Sequence, residues 1–193
     1  MQWAKHGSLE YHSLRRNLMH EMERCTEKVK SAIFFARYDA CQHGSRSLKP
    51  EHLLLGLLRV DPDLFRLFSS GQRNEAEDIR AVVEGMLPLH AAIELPLVTP
   101  LSRSTKYVIE LAGEESKSLG HSYIGTEHIL LSLLKAKRTR ALGLIKKGPS
   151  PLSIILRERG FSIEQIVTKV AGGSVTIQDS DRSNSVALGR SPI

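Results

Sequence analysis

Apolar residues recur with helical spacing in two long stretches of the chain. They fall every three or four residues, which places them on one face of a helix. The positions are Val29, Ile33, Ala36 and Ala40 in the first stretch and Thr105, Ile109 and Ala112 in the second. Each stretch therefore predicts an amphipathic helix with one face against a core.

The ends of these two helices are also marked. Thr26 and Ser102 stand just before the apolar pattern, where a hydroxyl can cap the free N–H groups of a first turn. Gly44 and Gly120 follow the pattern, at the position where a left-handed residue commonly ends a helix. The sequence therefore predicts helices bounded by these residues.

A second, strongly apolar helix follows each of the first two after a short loop. Its start is predicted near Pro50 in one case and near Thr126 in the other. The leucines on it are too numerous for an exposed face. They are Leu54, Leu55 and Leu58 in the first copy and Leu130, Leu131 and Leu134 in the second. Further helices are predicted over about 62–69, 74–86, 149–159 and 162–171.

The two stretches are copies of one another. Residues 26–58 align with residues 102–134 without a gap at an offset of 76, and ten of the 33 positions are identical. Average residue usage would give roughly two identities by chance. Glu51 and Glu127 correspond, as do His52 and His128. The chain is therefore a tandem duplication.

The duplication defines the expected architecture. The segment 87–102 carries three prolines and is predicted to connect the copies, and no alternating apolar pattern is long enough to predict a sheet. The expected fold is all-α, two bundles of about four helices related by a pseudo-two-fold axis. We expect the chain to consist of an extension at 1–24, a first repeat at 25–86, a linker at 87–101, a second repeat at 102–171 and a polar, disordered tail at 172–193.

The extension at the start of the chain has its own apolar spacing. Leu14, Leu18 and Met22 recur every four residues, which predicts a helix that either covers the bundle or is offered to a partner. We find neither a secretory signal nor a membrane span, so a cytoplasmic protein is expected. Cys25 and Cys41 lack any motif spacing and are expected to be reduced thiols.

The chain has a net charge of +6, and the positive excess is concentrated in one segment. This basic patch spans residues 135–147 and contains no acid; its members are Lys135, Lys137, Arg138, Arg140, Lys146 and Lys147. Such a cluster can attract nucleic acid or an acidic protein surface, or it can simply be a solvated helix face and turn. No aromatic residue is interleaved with it, which disfavours base stacking and hence nucleic acid as a partner.

The segment "GHSYIGTEH" is the obvious place to look for chemistry. Glu127 and His128 are neighbours about 100° apart on a helix, and no HExxH pair is present, so we expect no metal site. Neither cysteine has a histidine placed by a catalytic motif, and nucleotide-binding glycine motifs are absent. We therefore predict no enzyme activity and no cofactor, and we interpret His52 and His128 as structural groups that hydrogen-bond near helix starts.

The motifs "LGHSYIGTEHILLSLL" and "SLKPEHLLLGLL", with the helix opening "TEKVKSAIFFA", resemble the double repeat of the Clp N-terminal domain. That module stands at the front of ClpA-, ClpB- and ClpC-type AAA+ unfoldases, and the resemblance covers about residues 25–171 and is closest to the ClpC type. It implies a domain whose partners are proteins: Clp ATPase or protease components, adaptors or tagged substrates. The implied function is to modulate Clp-dependent proteolysis or to sequester tagged or unfolded proteins. It also implies a free-standing domain, because the chain carries no ATPase module.

The resemblance further implies a phosphoarginine pocket in each repeat. The matching residues are Thr26 with Glu51 and Ser102 with Glu127. A capped helix start suits a phosphate and a carboxylate suits a guanidinium, although the same residues also fit simple capping and helix-dipole roles. The first repeat has Lys49-Pro50-Glu51 where the family usually has Gly-Thr-Glu, and Ser102 replaces a threonine, so the second pocket is favoured.

Two hypotheses besides the protein-binding module stay open at this point. One is a regulatory nucleic-acid binder that uses the basic patch, which lies beside extra residues at 140–151 relative to the family. The other is an enzyme, disfavoured because no catalytic constellation converges.

Overall fold

The computed structural model describes residues 18–69, 75–88, 90–92, 99–139 and 145–172. The first repeat contains helices α1 (Glu27–Gln42), α2 (Pro50–Val60), α3 (Pro62–Phe68) and α4 (Glu75–Gly85). The second contains α5 (Arg103–Ser118), α6 (Thr126–Lys135), α7 (Pro151–Glu158) and α8 (Ile163–Ala171). Two short strands, β1 (Lys137–Thr139) and β2 (Ile145–Pro149), lie between α6 and α7. The all-α double repeat predicted from the sequence is confirmed.

The predicted helix boundaries are confirmed as well. Thr26 and Ser102 cap α1 and α5, because their hydroxyl oxygens accept from the amides of the residues three positions on, at 3.4 and 3.2 Å. Gly44 and Gly120 have φ angles of 63° and 75°, a conformation that glycine adopts without steric cost. The copies therefore share both ends of their first helix.

The hairpin of β1 and β2 was not predicted. The strands pair antiparallel, with Lys137 opposite Pro149 and Thr139 opposite Ile145. The expectation of no sheet is wrong in this segment. The segment "KRT" has no alternating apolar pattern, and antiparallel backbone pairing does not require one.

The core is built from the leucine-rich helices of both repeats. All three leucines predicted on α2 and all three on α6 are buried, and α1 and α5 cover them. Phe65 on α3 and Phe161 ahead of α8 meet edge to face, with ring centroids 5.9 Å apart, and so join the two repeats. Complete burial of such a side chain stabilises the fold by about 1.5–3 kcal/mol.

The repeats also exchange backbone hydrogen bonds at two related points. The amide of Thr26 donates to Ile124 O at 3.0 Å, and the amide of Ser102 donates to Leu48 O at 2.9 Å. Each segment that enters the first helix of one repeat is thereby paired with the loop before the second helix of the other. Consequently the start of α1 lies beside the start of α6, and the start of α5 lies beside the start of α2.

The described part of the N-terminal extension covers the bundle. Residues 18–23 are helical, and Leu18 and Met22 pack against the core while partly exposed. Glu21 is buried and forms ion pairs with Arg24 at 2.7 Å and with Lys117 on α5 at 2.9 Å. Leu14, with the rest of 1–17, lies outside the described residues, as do the predicted tail from residue 173 and residues 89 and 93–98 of the linker.

Both cysteines are buried free thiols, as expected. Burial raises the pKa of Cys25 to about 11, which keeps its thiol protonated at neutral pH. Among the described residues, no helix combines the length and the apolar character needed to cross a membrane.

Candidate ligand-binding site

The structure pairs the four predicted pocket residues differently from the sequence prediction. Glu51 lies with Ser102, and Glu127 lies with the start of α1, which Thr26 caps. The predicted pairing within each repeat is wrong because α1 has 16 residues and is therefore about 24 Å long. Since α2 runs back along α1, Thr26 and Glu51 stand at opposite ends of that helix pair.

Glu51 and Ser102 line an open cavity between the two repeats. Its volume is about 400 Å³. The cavity is also lined by two lysines, Lys49 at the start of α2 and Lys137 at the start of β1. Neither lysine forms an ion pair with any residue that the structure describes. We call this cavity the open site.

Three helices begin at the open site. Pro50 opens α2, Ser102 caps α5, and Ser150 caps α7. The first turn of a helix presents unbonded N–H groups and a partial positive charge, which favours anions. The open site therefore has one carboxylate that can bind a cationic group. It also has two lysines and several helix starts that can bind an anionic group.

The pseudo-two-fold places a second set of residues at the other junction of the repeats, at the same offset of 76. Thr26 corresponds to Ser102, Glu127 to Glu51, and Asp61 to Lys137. One carboxylate oxygen of Asp61 accepts from the Thr126 hydroxyl at 2.7 Å and lies 3.5 Å from Lys28 Nζ. We call this set the closed site, because Glu127 within it is only 2% exposed.

Glu127 has an unusual environment for a carboxylate. Burial is the largest cause that raises its pKa to about 7, and the nearby charge of Asp61 raises it further, while Lys28 acts in the opposite sense. Its Oε2 has no hydrogen-bond partner among the described residues. The side chain is thus held away from water with one acceptor unsatisfied.

Gly125 explains why Glu127 folds inward and Glu51 does not. A Cβ atom at position 125 would overlap both carboxylate oxygens of Glu127, so the glycine leaves room for the inward carboxylate. The corresponding residue of the first repeat is Lys49, which has a Cβ. This side chain takes up the space that the glycine leaves open in the second repeat, and Glu51 lines the open site.

The two helix-start histidines are structural, as predicted. His128 Nδ1 accepts from the Gly125 amide at 2.8 Å, and His52 Nδ1 accepts from the Lys49 amide at 3.0 Å. Burial lowers the pKa of each imidazole to about 4, so both are neutral at pH 7. Because His128 Nδ1 carries no proton, its approach of 3.2 Å to Glu127 is not an ion pair.

The loop before α6 brings a third group to this place. His121 Nδ1 lies 2.9 Å from His128 Nε2, which carries the ring proton and donates it. Potential ligand atoms of His121, Glu127 and His128 lie within 4.8 Å of one another, a grouping that the helical spacing alone did not reveal. Both ring nitrogens of His128 are already engaged in hydrogen bonds, so the grouping is an internal chain of polar contacts.

Two members of the basic patch have separate environments. Lys135 is half-buried and bonded to Glu115 at 2.7 Å, and Lys137 lines the open site. Arg138, Lys146 and Lys147 lie on the strands of the hairpin, and Arg140 lies outside the described residues.

Sequence reasoning missed Lys28 and Asp61. For Asp61 the sequence does carry a signal. When the repeat alignment is extended by three residues, Asp61 pairs with Lys137, so equivalent positions carry opposite charges.

Fold and cavity define a class of protein: a helical double repeat with an open cavity where its two halves meet. Residues 24–148 match the family described as the Clp repeat (R) N-terminal domain. The chain belongs to this family, which confirms the resemblance seen in the sequence. The family domain is a non-catalytic binding domain, homologous to the substrate- and adaptor-binding domain of Clp ATPases.

Curated relatives include the chloroplastic chaperone protein ClpC1 of Oryza sativa subsp. japonica, which is 33% identical over 159 residues. The negative regulator of genetic competence ClpC/MecB of Bacillus subtilis is 30% identical over 167 residues. These matches cover 79% and 85% of this chain. The chain spans only 17% and 19% of the length of these relatives.

Solved structures agree on the fold. The N-terminal domain of ClpD from Arabidopsis thaliana superposes with a TM-score of 0.55 at 26% identity, over 79% of this chain and 94% of that one. The Hsp104 N-terminal domain from Candida albicans gives a TM-score of 0.55 at 22% identity, over 76% and 88% of the two chains.

Proposed function

We propose that the protein is a non-catalytic module in the cytoplasm that binds tagged or unfolded proteins, or adaptors, and so modulates Clp-dependent proteolysis or sequesters the bound proteins. One observation carries the proposal: Glu51 and the Ser102-capped start of α5 line the same open cavity with Lys49 and Lys137. A phosphorylated arginine side chain matches this arrangement, since its guanidine nitrogens suit Glu51 and its phosphate suits the lysines and the helix start.

The charge balance of the open site supports a ligand with more negative than positive charge. Two lysines face one carboxylate there, so an unmodified arginine would meet net repulsion, whereas the phosphate of phosphoarginine reverses it. We therefore expect phosphoarginine peptides to bind at least about tenfold more tightly than arginine peptides, a difference of about 1.4 kcal/mol.

Calorimetric titration with a phosphoarginine peptide tests the proposal. Glu51→Ala and Ser102→Ala are expected to weaken binding about tenfold or more, because each removes a partner of the charged ligand. Glu114→Ala is the matched control, since this exposed glutamate on α5 lies outside the open site. Failure of the wild-type chain to bind at millimolar peptide would refute the phosphoarginine assignment.

An exposed aromatic face on α1 supports protein as the class of partner. Phe34 and Tyr38 are 65% and 41% exposed, and Arg59 stacks its guanidinium over Phe35 and Tyr38. The equivalent residues of the second repeat are Glu110 and Glu114, so the fold does not require apolar groups at these positions. We assign this face to an apolar segment of an unfolded client chain.

A double substitution tests the aromatic face. Phe34→Glu with Tyr38→Glu introduces the residues of the second repeat, so the free energy of unfolding should change little. Binding to a permanently unfolded model chain, reduced and alkylated lactalbumin, should fall about tenfold or more. Unchanged binding by the stably folded variant would contradict a role for this face.

The nucleic-acid alternative gains no support from the described part of the basic patch. Of its lysines, Lys135 is engaged by Glu115 and Lys137 faces the open site. Affinity for DNA that falls steeply with added salt would be the result in its favour.

A further inference from the structure

The hairpin of β1 and β2 is an addition to the second repeat. In the first repeat a single residue, Asp61, separates α2 from α3. In the second repeat residues 136–150 separate α6 from α7, and the hairpin lies within them. Both α3 and α7 begin at a proline directly after this connection, so the first repeat shows that the helices pack without a hairpin. The hairpin is therefore not a requirement of the fold.

The base of the hairpin lies at the open site. Lys137 begins β1 and is opposite Pro149, the last residue of β2. The cavity is lined by Lys137 and by the residues that adjoin the hairpin on either side, Ala136 before it and Ser150 after it. A peptide that leaves the cavity on this side therefore runs beside the hairpin.

The strands of the hairpin are strongly basic. Of the three residues of β1 and the five of β2, four are cationic and none is acidic; the cationic residues are Lys137, Arg138, Lys146 and Lys147. At a rise of about 3.3 Å per residue, each of these positions lies within roughly 10 Å of the base of the hairpin. That distance is about one Debye length at about 0.1 M salt, so the four charges act on a ligand at the mouth of the cavity.

The surroundings of the hairpin do not cancel this charge. The cavity adds one further lysine, Lys49, and one carboxylate, Glu51. Glu115, an acid close to the start of the hairpin, is already bonded to Lys135 at 2.7 Å. Lys137 itself is exposed. A segment with acidic residues is therefore complementary to this side of the open site, whereas a basic segment is repelled.

We infer that the hairpin selects protein segments in which acidic residues flank the side chain held in the open site. The inference rests on the proposed function of that site, because the flanking positions are counted from the phosphoarginine. The cavity then recognises the tag, and the hairpin adds a sequence preference. Aspartate or glutamate within about three residues of the tagged arginine strengthens binding, since three extended residues span about 10 Å, and lysine or arginine there weakens it.

A protein segment fits the hairpin better than nucleic acid does. The two strands carry no aromatic residue on which a base could stack. The cavity at their base contains Glu51, whose carboxylate repels a nucleic-acid backbone but can bind a guanidine group.

Three phosphoarginine peptides that differ only in their flanking residues test the inference. One carries aspartate on both sides of the tag, the second carries serine and the third carries lysine. At about 50 mM salt the wild-type chain should bind the aspartate peptide about fivefold or more tightly than the serine peptide, and the lysine peptide about fivefold or more weakly. At about 500 mM salt both differences should fall below about twofold, because added ions screen the charges. Isothermal titration calorimetry measures the affinities.

A charge-reversed variant assigns the preference to the hairpin. Arg138→Glu with Lys146→Glu and Lys147→Glu should bind the lysine peptide more tightly than the aspartate peptide. This reversed order is a gain that a misfolded chain cannot show. Lys137 is left unchanged because it lines the open site.

A matched control reverses the same number of charges elsewhere. Lys30→Glu with Arg66→Glu and Arg159→Glu changes three cations that lie outside the open site and pair with single acids on the surface. This control should keep the wild-type order of the three peptides.

The outcomes separate the hairpin from the open site. Equal binding of the three peptides by wild type at low salt would overturn the hairpin inference and leave the open site standing. The wild-type order in a charge-reversed variant that melts as a folded protein would overturn it too. A short DNA duplex that binds more tightly than the aspartate peptide at about 150 mM salt would overturn it in favour of nucleic acid. If wild type binds none of the three peptides, the phosphoarginine assignment fails, and the hairpin inference fails with it.

Discussion

The Thr126 hydroxyl donates to Asp61 at 2.7 Å across the boundary between the two repeats. This hydrogen bond ties the start of α6 to the residue that ends α2, and it lies at the junction where Glu127 is buried. The corresponding junction at Glu51 has no such bond, because its residues are proline and lysine. One duplicated fold therefore carries two unlike junctions.

Glu127 should make stability fall as the pH rises. Its pKa of about 7 in the folded state exceeds its usual value of 4.5, so between these pH values the folded state binds more protons than the unfolded state. The free energy of unfolding therefore decreases as the pH rises towards and through 7. Glu127→Gln should raise the free energy of unfolding by up to about 3 kcal/mol at about pH 8, and by far less at about pH 5. Urea denaturation at both values measures the difference. An equal gain in the free energy of unfolding at both pH values would contradict the raised pKa of Glu127.

Gly125→Ala should expel the Glu127 carboxylate from its buried position. The added methyl overlaps both carboxylate oxygens, and because these are the flexible end of their side chain, the carboxylate can move out to water. The fall in stability between about pH 5 and about pH 8 that the buried Glu127 causes should then largely disappear. Urea denaturation at both pH values measures this, and Lys49→Ala, at the equivalent place of the first repeat, is the control that should keep the wild-type pH dependence. An unchanged pH dependence in Gly125→Ala would contradict the explanation.

Arg24 should be the residue that fixes the N-terminal extension to the second repeat. Its guanidinium donates to Glu21 at 2.7 Å, to the Ser116 hydroxyl at 2.9 Å and to Ser122 O at 3.1 Å. Arg24→Ala should cost about 3 kcal/mol, because it leaves the buried Glu21 poorly compensated. Lys117→Ala should cost less than about 1 kcal/mol, since this partner of Glu21 is exposed. Thermal or urea unfolding measures the loss of stability in both variants. Equal losses for Arg24→Ala and Lys117→Ala would contradict this role of Arg24.

Phe65 should be far more sensitive to truncation than Phe34. Phe65 is fully buried against Phe161 of the other repeat, whereas Phe34 is mostly exposed. Phe65→Ala should cost about 3–5 kcal/mol through the cavity that it leaves. Phe34→Ala should change the free energy of unfolding by less than about 0.5 kcal/mol. Chemical denaturation compares the two, and a small loss for Phe65→Ala would show that the repeats do not depend on this contact.

Local signals were enough to predict the helices. The first helix of each repeat begins at a capping hydroxyl, from Thr26 or Ser102, and ends at a left-handed glycine, Gly44 or Gly120. Each of these features involves only residues within about one helical turn, so a short sequence pattern is enough to predict it. The hairpin after α6 was missed because backbone pairing, unlike a buried face, leaves no apolar pattern.

The candidate site was only half predictable. Glu51, Ser102 and Glu127 were identified by residue type and by family resemblance, yet their pairing and their exposure were not. In the alignment Glu51 and Glu127 are equivalent. In the structure Glu51 lines the open cavity, whereas Glu127 is buried.

By itself the sequence determined the duplication, the helices with their caps, the family and the residues from which a site could be built. These depend on short-range spacing and on identities between the copies. Only the tertiary structure decided that each junction is built from both repeats, that Asp61 contacts Thr126 and Lys28 at one of them, and that Gly125 leaves room for Glu127 to fold inward. The reason is that these contacts join residues far apart in the chain, and their geometry follows from how the two copies pack against each other.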